Sequence, residues 1–265
     1  MIYFPPFLGG AILQPGIVMR GVLPLLSFCM ASSAGYILND IQDCDNDRHH
    51  PDKKKRPLPS GRISTGVAYL FAVVLAFAAA ATAWTVSSTF FLYLVAYLLL
   101  TLTYSVWFKE VALIDIFCIA AGFLLRLQAG GSAFAIHITE WLFLSVFLLS
   151  IFLSTGKRLS DKNRLGASAG NHRKTLTSYP LSFLQGTMYM TGSSVLVMYT
   201  MYVITRHSVL LLYTVPLCCF GLLHYILRIQ SGKDGDPTES LTRDIPLLLV
   251  SMLWVIMVGW GIYGK

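Results

Sequence analysis

The chain has 265 residues, of which 55% are hydrophobic and 12% charged, with a formal net charge of +7 and a mean hydropathy of +0.64. An ordinary soluble domain carries about 25% charged residues, so this composition excludes a soluble globular protein and points into a membrane. Nucleic acid is not an expected partner. The five cysteines, four of them in apolar runs and none in CxxC spacing, read as small hydrophobes rather than disulfides or metal ligands.

A bilayer core of about 30 Å takes roughly 20 helical residues to cross. In chain order, the apolar opening from Met1 to Leu13 is short for that purpose. It lacks a basic leader and a small-residue cleavage site, so a cleavable signal peptide is not expected. Gly21 to Leu38 follows as a span behind Arg20, and then comes an abrupt change: between Asn39 and Arg62 stand five aspartates and six Lys or Arg. Uncharged runs resume at Gly66 to Val86 and Ser88 to Phe108. Val111 to Ile136 carries Asp115 and Arg126 inside it, and Trp141 to Gly156 is short but charge-free. Ser182 to Thr205, Ser208 to Leu227 and Ile245 to Tyr263 complete the set. The expectation is an all-α polytopic membrane bundle of about nine helices, the first short, in one domain over residues 1–265. Oligomeric state is not legible.

If successive spans alternate direction, the loops 39–65, 107–110, 157–181 and 228–244 share one side. They hold 16 of the 20 Lys and Arg. The positive-inside rule makes that side cytoplasmic, and nearly all the acids lie there too. Lys53 to Lys55 read as a topology and headgroup anchor, with electrostatic attraction of substrate as the alternative.

A helix continuing from Tyr36 would place Asn39, Asp40, Asp43 and Asp47 on one stripe, because steps of three, four and seven return to one face at 3.6 residues per turn. Asp45 points elsewhere. Like charges stacked this way repel, and a divalent cation best explains them. Oxygen ligands without thiol or imidazole suit Mg2+, which binds one or two carboxylates and completes its shell with water and substrate phosphate. A solvated acidic loop is the competing explanation.

The stretch NDIQDCDNDRHHPDKKKRPLPSGRISTGVA resembles the signature of the UbiA superfamily of membrane prenyltransferases, NDxxDxxxD followed by a basic RP-x-x-SG turn. The matching positions are Asn39, Asp40, Asp43, Asp47, Arg48, Pro51, Lys53, Arg56, Pro57, Ser60 and Gly61. YSVWFKEVALIDIFCIAAGFLLRLQAGG continues it, with Tyr104, Ser105, Lys109, Asp115, Gly122, Arg126 and Gly130 in matching places. The resemblance implies a nine-helix bundle around a lipid-accessible cavity, with Mg2+ on Asp40, Asp43 and Asp47 holding a diphosphate at the cytoplasmic end.

GKRLSDKNRLGASAGNHRKTLTSYP and DGDPTESLTRDIPLLL are similar to the polyprenyl-phosphate phosphoribosyltransferase branch of that superfamily. Lys157, Arg158 and Asp161 stand where the branch has KR-x-x-E, the acid being one methylene shorter here. A prenyl diphosphate enzyme normally has a second acidic cluster, and this chain shows no obvious one: from Lys157 to Pro180 six cations face the single acid Asp161. Such a loop fits a donor with phosphate beyond its leaving diphosphate, since Arg can hold phosphate bidentately; topology anchoring is the competing explanation. His172 and Arg173 are read as phosphate contacts, with plain surface residues as the alternative.

Arg126 lies well inside a span, where a cation costs about 2.5 to 3.5 kcal/mol on insertion scales. It is expected to face inward toward an anionic headgroup or carboxylate, rather than snorkel. Asp115 either orients its helix or joins the metal site. The binding set is therefore Asn39, Arg48, Lys53, Arg56, Tyr104, Lys109, Arg126, Lys157, Arg158, Asp161, His172 and Arg173 around the catalytic Asp40, Asp43 and Asp47. The favoured reaction moves a 5-phosphoribosyl group from phosphoribosyl diphosphate to a polyprenyl phosphate in a bacterial plasma membrane. Prenyl transfer from a polyprenyl diphosphate to an aromatic or other small acceptor is the alternative. A transporter fits less well, because the acids cluster at one membrane edge rather than filing through it.

Overall fold

The structure, a computed structural model, describes residues 1–48, 53–165 and 174–264. Among the described residues every regular element is helical. The long helices are numbered here in chain order: α1 Val22–Arg48, α2 Thr65–Val86, α3 Ser88–Val106, α4 Ile114–Phe134, α5 Glu140–Leu165, α6 Leu181–Thr205, α7 Thr214–Gln230 and α8 Ile245–Tyr263. Among the described residues seven stretches are long and apolar enough to cross a membrane: Ile17–Asp45, Thr65–Val86, Ser88–Val106, Ile114–Phe134, Glu140–Arg164, Val209–Gln230 and Ile245–Tyr263. α6 is also uncharged and 25 residues long, and its Ser, Thr, Tyr and Gly residues keep it out of that set. The opening run folds as the single-turn helix Phe4–Leu8, too short to span at about 1.5 Å per residue.

Local chemistry sets the joints. Ser64 caps α2 by accepting from the Val67 N–H, and Ser87, in extended conformation, ends α2 and caps α3 through the Phe90 N–H. That single residue makes a tight antiparallel joint, as short helix connections do. Asp244 caps α8 through the Leu247 N–H, with Pro246 in the first turn, where a missing N–H costs no hydrogen bond.

The chain groups into two compact units. Met1–Pro6, Ala11–Cys118 and Leu125–His137 form the first; Phe7–Gly10, Ile119–Leu124 and the chain from Ile138 onward form the second. In the first, α2 buries Ala68, Ala72, Ala79 and Ala83 while Leu70, Phe71, Val74, Phe77 and Trp84 stay exposed. Small residues inward and large apolar ones outward is the pattern of a helix whose solvent is lipid. Ser27 on α1 and Thr82 on α2 share a hydroxyl hydrogen bond of 2.7 Å, and Phe28 meets Phe90 and Tyr97 with ring centroids at 5.6 and 5.4 Å. In the second unit α5 and α7 approach at Gly156, where a Cβ would lie 2.8 Å from both Ile229 and Tyr225 side-chain carbons.

Candidate active site

α1 does not stop at the end of its apolar run. It continues to Arg48, so Asn39, Asp40, Asp43 and Asp47 fall on one helical stripe, as the spacing predicts. Asp45 points away, its side chain 92% exposed, and pairs with Arg48 at 3.1 Å. Arg56 reaches back from the turn that follows: its Nη1 donates to Asp40 Oδ1 at 2.9 Å and to Asp47 Oδ2 at 3.1 Å. Lys109, in the 3-10 turn Phe108–Glu110 after α3, donates to Asp43 Oδ1 at 2.6 Å, and Asn39 donates to Asp43 Oδ2 at 2.9 Å. Asp47 is buried at 4% exposure.

The turn carrying Arg56 is built to hold it. Leu58 is buried against Cys44 and Ala68, with Ile37 and Ile41 beside it. Gly61 adopts φ 74°, a left-handed conformation that glycine takes without a Cβ clash, and its N–H closes the turn on the Leu58 carbonyl at 3.0 Å. The RP-x-x-SG motif is therefore a device for returning a guanidinium to the aspartate ridge.

Asp40 and Asp47 already share one cationic nitrogen, so their oxygens are close enough to share one ion. Among the described residues no three His, Cys, Asp or Glu side chains form a metal cage of their own. The converging carboxylates of Asp40 and Asp47 fit Mg2+, which takes one or two carboxylates and leaves its remaining positions to water and phosphate. Asp115, fully buried in the first turn of α4, and Tyr104, half-buried on α3, lie in the same unit.

Arg126 does not reach for the membrane surface. Its Nη2 donates to the Tyr97 hydroxyl at 2.5 Å, and the guanidinium lies 4.8 Å from the centroid of that ring. Tyr97 is buried and shares a 3.2 Å hydrogen bond with Ser32. Ser32 is seven residues before Asn39 and eleven before Asp43, on the same stripe of α1.

The second unit gathers Lys157, Arg158 and Asp161 on the last turns of α5. Arg158 is buried, with Nη1 3.8 Å from Asp161 Oδ2. Two of the six cations between Lys157 and Pro180 meet acids from elsewhere in the chain. Lys157 Nζ donates to Asp236 Oδ2 at 2.6 Å, and Arg164 pairs with Asp234, so carboxylates from a distant stretch partner two of those cations. Lys162 donates to the Leu176 carbonyl at 2.8 Å and also to that of Tyr179, tying down the chain beyond the helix. Burial would raise the Asp236 carboxyl pKa, but hydrogen bonds from Lys157 and from the Glu239 and Thr238 N–H groups hold it below the ordinary carboxylate value.

Asp234 and Asp236 were not legible as site residues. The available signal was D-P-x-E at Asp236 to Glu239, an N-cap followed by Pro at the first helical position. Asp236 does cap the helix Pro237–Arg243, accepting from Thr238 and Glu239. The side chain of Lys53, and His172 and Arg173 entirely, lie outside the described residues.

The model of the UbiA prenyltransferase family matches residues 3–252, across both units. The chain belongs to the UbiA prenyltransferase family. It is a UbiA-type transferase and an integral membrane protein. The decaprenyl-phosphate phosphoribosyltransferase of Mycobacterium tuberculosis is 30% identical over 247 residues, covering 92% of this chain and 82% of that one. Its namesake in Corynebacterium glutamicum is 29% identical over 264 residues, covering 96% and 79%. A UbiA homolog from Archaeoglobus fulgidus, solved bound to GPP and Mg2+, superposes with a TM-score of 0.77 at 22% identity over 100% of this chain and 95% of that one. The fold and the phosphoribosyltransferase-branch resemblance read from the motifs are thereby confirmed.

Proposed function

We propose that this UbiA-type enzyme transfers a 5-phosphoribosyl group from phosphoribosyl diphosphate to a polyprenyl phosphate, using Mg2+, at the cytoplasmic face of a bacterial plasma membrane. The observation that carries the diphosphate-displacing part is the convergence of Asp40 and Asp47 on one cation. The choice of donor and acceptor rests on the two relatives named above and on the basic composition around α5.

Asp40 and Asp47 would hold Mg2+, which would neutralise charge on the leaving diphosphate, with Asp43 one turn along the same stripe of α1. With a divalent ion on those two carboxylates, the Arg56 guanidinium would be available to phosphate oxygens. Lys109 and Asn39 fix Asp43, and Lys157, with Arg158 behind it, supplies positive charge in the second unit. The bond from the anomeric carbon to diphosphate breaks, the ribose ring shares the developing positive charge, and a lipid phosphate oxygen forms the new bond. That oxygen is ionised at neutral pH, so the step needs no general base; most of the catalysis is electrostatic. An aromatic acceptor would have to lose a ring proton, which makes prenyl transfer the less fitting alternative.

The test is direct. Membranes containing the protein are incubated with Mg2+, phosphoribosyl diphosphate and a polyprenyl phosphate, and the lipid fraction is weighed by mass spectrometry. The expected product is a phosphoribosylated lipid. No adduct, together with a prenylated aromatic in a parallel reaction with prenyl diphosphate, overturns the donor assignment in favour of prenyl transfer.

A further inference from the structure

Lys157 and Arg164 stand seven residues apart on α5, so they share a face and are separated by about 10 Å along the axis. Each ends on its own carboxylate, and both carboxylates come from the one turn Asp234–Gly235–Asp236. The two cationic side chains remain reachable, 43% and 51% exposed. Lys157 uses one of its three N–H donors on Asp236, which leaves two for another anion.

The turn behind them is locked on every side. The Gly235 N–H donates to Ser160 Oγ at 2.9 Å, Ser160 Oγ donates to the Lys233 carbonyl at 3.1 Å, and the Tyr225 hydroxyl donates to the Gly235 carbonyl at 2.7 Å. Arg228 Nε donates to the Asp234 carbonyl at 3.2 Å, while its Nη1 donates to Asp244 at 2.8 Å. Asp244 is buried and Arg228 nearly so, at 6% and 9% side-chain exposure. A turn that served only to neutralise two surface cations would not need a buried ion pair and a buried tyrosine to fix its backbone.

We propose that Asp234 and Asp236 are positioning residues: through this rigid turn they hold Arg164 and Lys157 as a two-pronged phosphate clamp, and act on the ligand only through those cations. Lys and Arg side chains lose much rotamer freedom when they bind an anion. Partners that order them beforehand remove part of that loss from the binding step. The use of the clamp rests on the diphosphate-displacing reading, but not on which donor supplies the diphosphate.

Inorganic diphosphate is therefore the probe, since either donor releases it. Its affinity is measured with Mg2+ for the full chain in nanodiscs, for Asp236→Asn, Lys157→Ala and the double variant, and likewise for Asp234→Asn and Arg164→Ala. Each single variant is expected to weaken binding about tenfold, and each double variant to bind no more weakly than its Lys or Arg single, because the acid works through the cation. Unchanged or tighter binding by Asp236→Asn overturns the proposal, as do losses that multiply in the double variant or a wild type that binds no diphosphate at millimolar concentration. If Asp236→Asn fails to fold, Asp236→Glu gives the reading: a smaller loss supports positioning, and unchanged affinity overturns it. A protein that shows the coupled losses yet forms no phosphoribosyl lipid refutes the donor assignment and leaves the clamp standing.

Discussion

In the first unit the acids are the fixed element and the cations travel to them; in the second the arrangement is reversed. Asp40, Asp43 and Asp47 ride on α1, while Arg56 and Lys109 arrive from turns. Lys157 and Arg164 ride on α5, while Asp234 and Asp236 arrive from a turn. The difference shows in what each can exchange. On the proposed function, the carboxylate ridge would exchange its guanidinium and ammonium partners for a divalent ion, whereas the cations on the locked acidic turn would keep theirs and add an anion.

The largest effect follows from the ridge. Asp40→Asn or Asp47→Asn leaves Arg56 with a weakened partner and removes a hard oxygen donor from the proposed metal position. Turnover is expected to fall by about 10²–10³-fold or more, the scale seen when one preorganised electrostatic partner is lost, while membrane insertion is retained. Initial rates of reconstituted protein, with Mg2+ and with a chelator, check this. Near-normal rates in either variant would make the ridge a structural ladder and erase the contrast between the units.

Legibility in the sequence follows the same division. The stripe Asn39, Asp40, Asp43 and Asp47 was readable because helical periodicity turns sequence spacing directly into geometry. The eight long helices were readable because lipid demands length and apolarity. Asp234 and Asp236 were not, because their partners Arg164 and Lys157 are 70 and 79 residues away in sequence and no local period links a loop to a distant helix. Arg126 lies between these cases. Its depth marked it as a residue needing a partner, but nothing local pointed to Tyr97 on another helix. The partners of the cations on α5 were hidden for a related reason: charges counted along the chain say nothing of what folds back onto them.

An intermediate effect is expected at Gly235. A Cβ there would stand 2.6 Å from Ser160 Cβ and 3.0 Å from the Gly156 carbonyl oxygen, and the backbone oxygen cannot step aside as a flexible side chain would. Overpacking of this kind costs about 1–3 kcal/mol. Gly235→Ala should lower the thermal midpoint by several degrees and weaken diphosphate affinity at Lys157 and Arg164 without touching the ridge. A fall in turnover at saturating substrate, with affinity intact, would contradict the division of labour between the units.

The smallest effect concerns pH and separates the two regions by their supports. Asp244 lies behind the acidic turn, accepting from Arg228 at 2.8 Å, from His224 Nε2 at 2.9 Å and from the Leu247 N–H at 3.4 Å. Burial alone would push its carboxyl up, yet these donors hold it below the ordinary carboxylate value. Because the folded carboxyl gives up its proton more readily than the unfolded one, its contribution to stability is complete above about pH 4. That contribution is lost as pH falls through the lower folded value. Thermal midpoints of the full chain in nanodiscs should therefore decline on acidification below about pH 4, and the decline should be shallower in Asp244→Asn, which has no carboxylate to protonate. Arg228 keeps its charge throughout, so protonating Asp244 strands a buried guanidinium beside the turn. An Asn variant with the wild-type slope would place the acid sensitivity elsewhere and return Asp244 to the simpler role of capping α8.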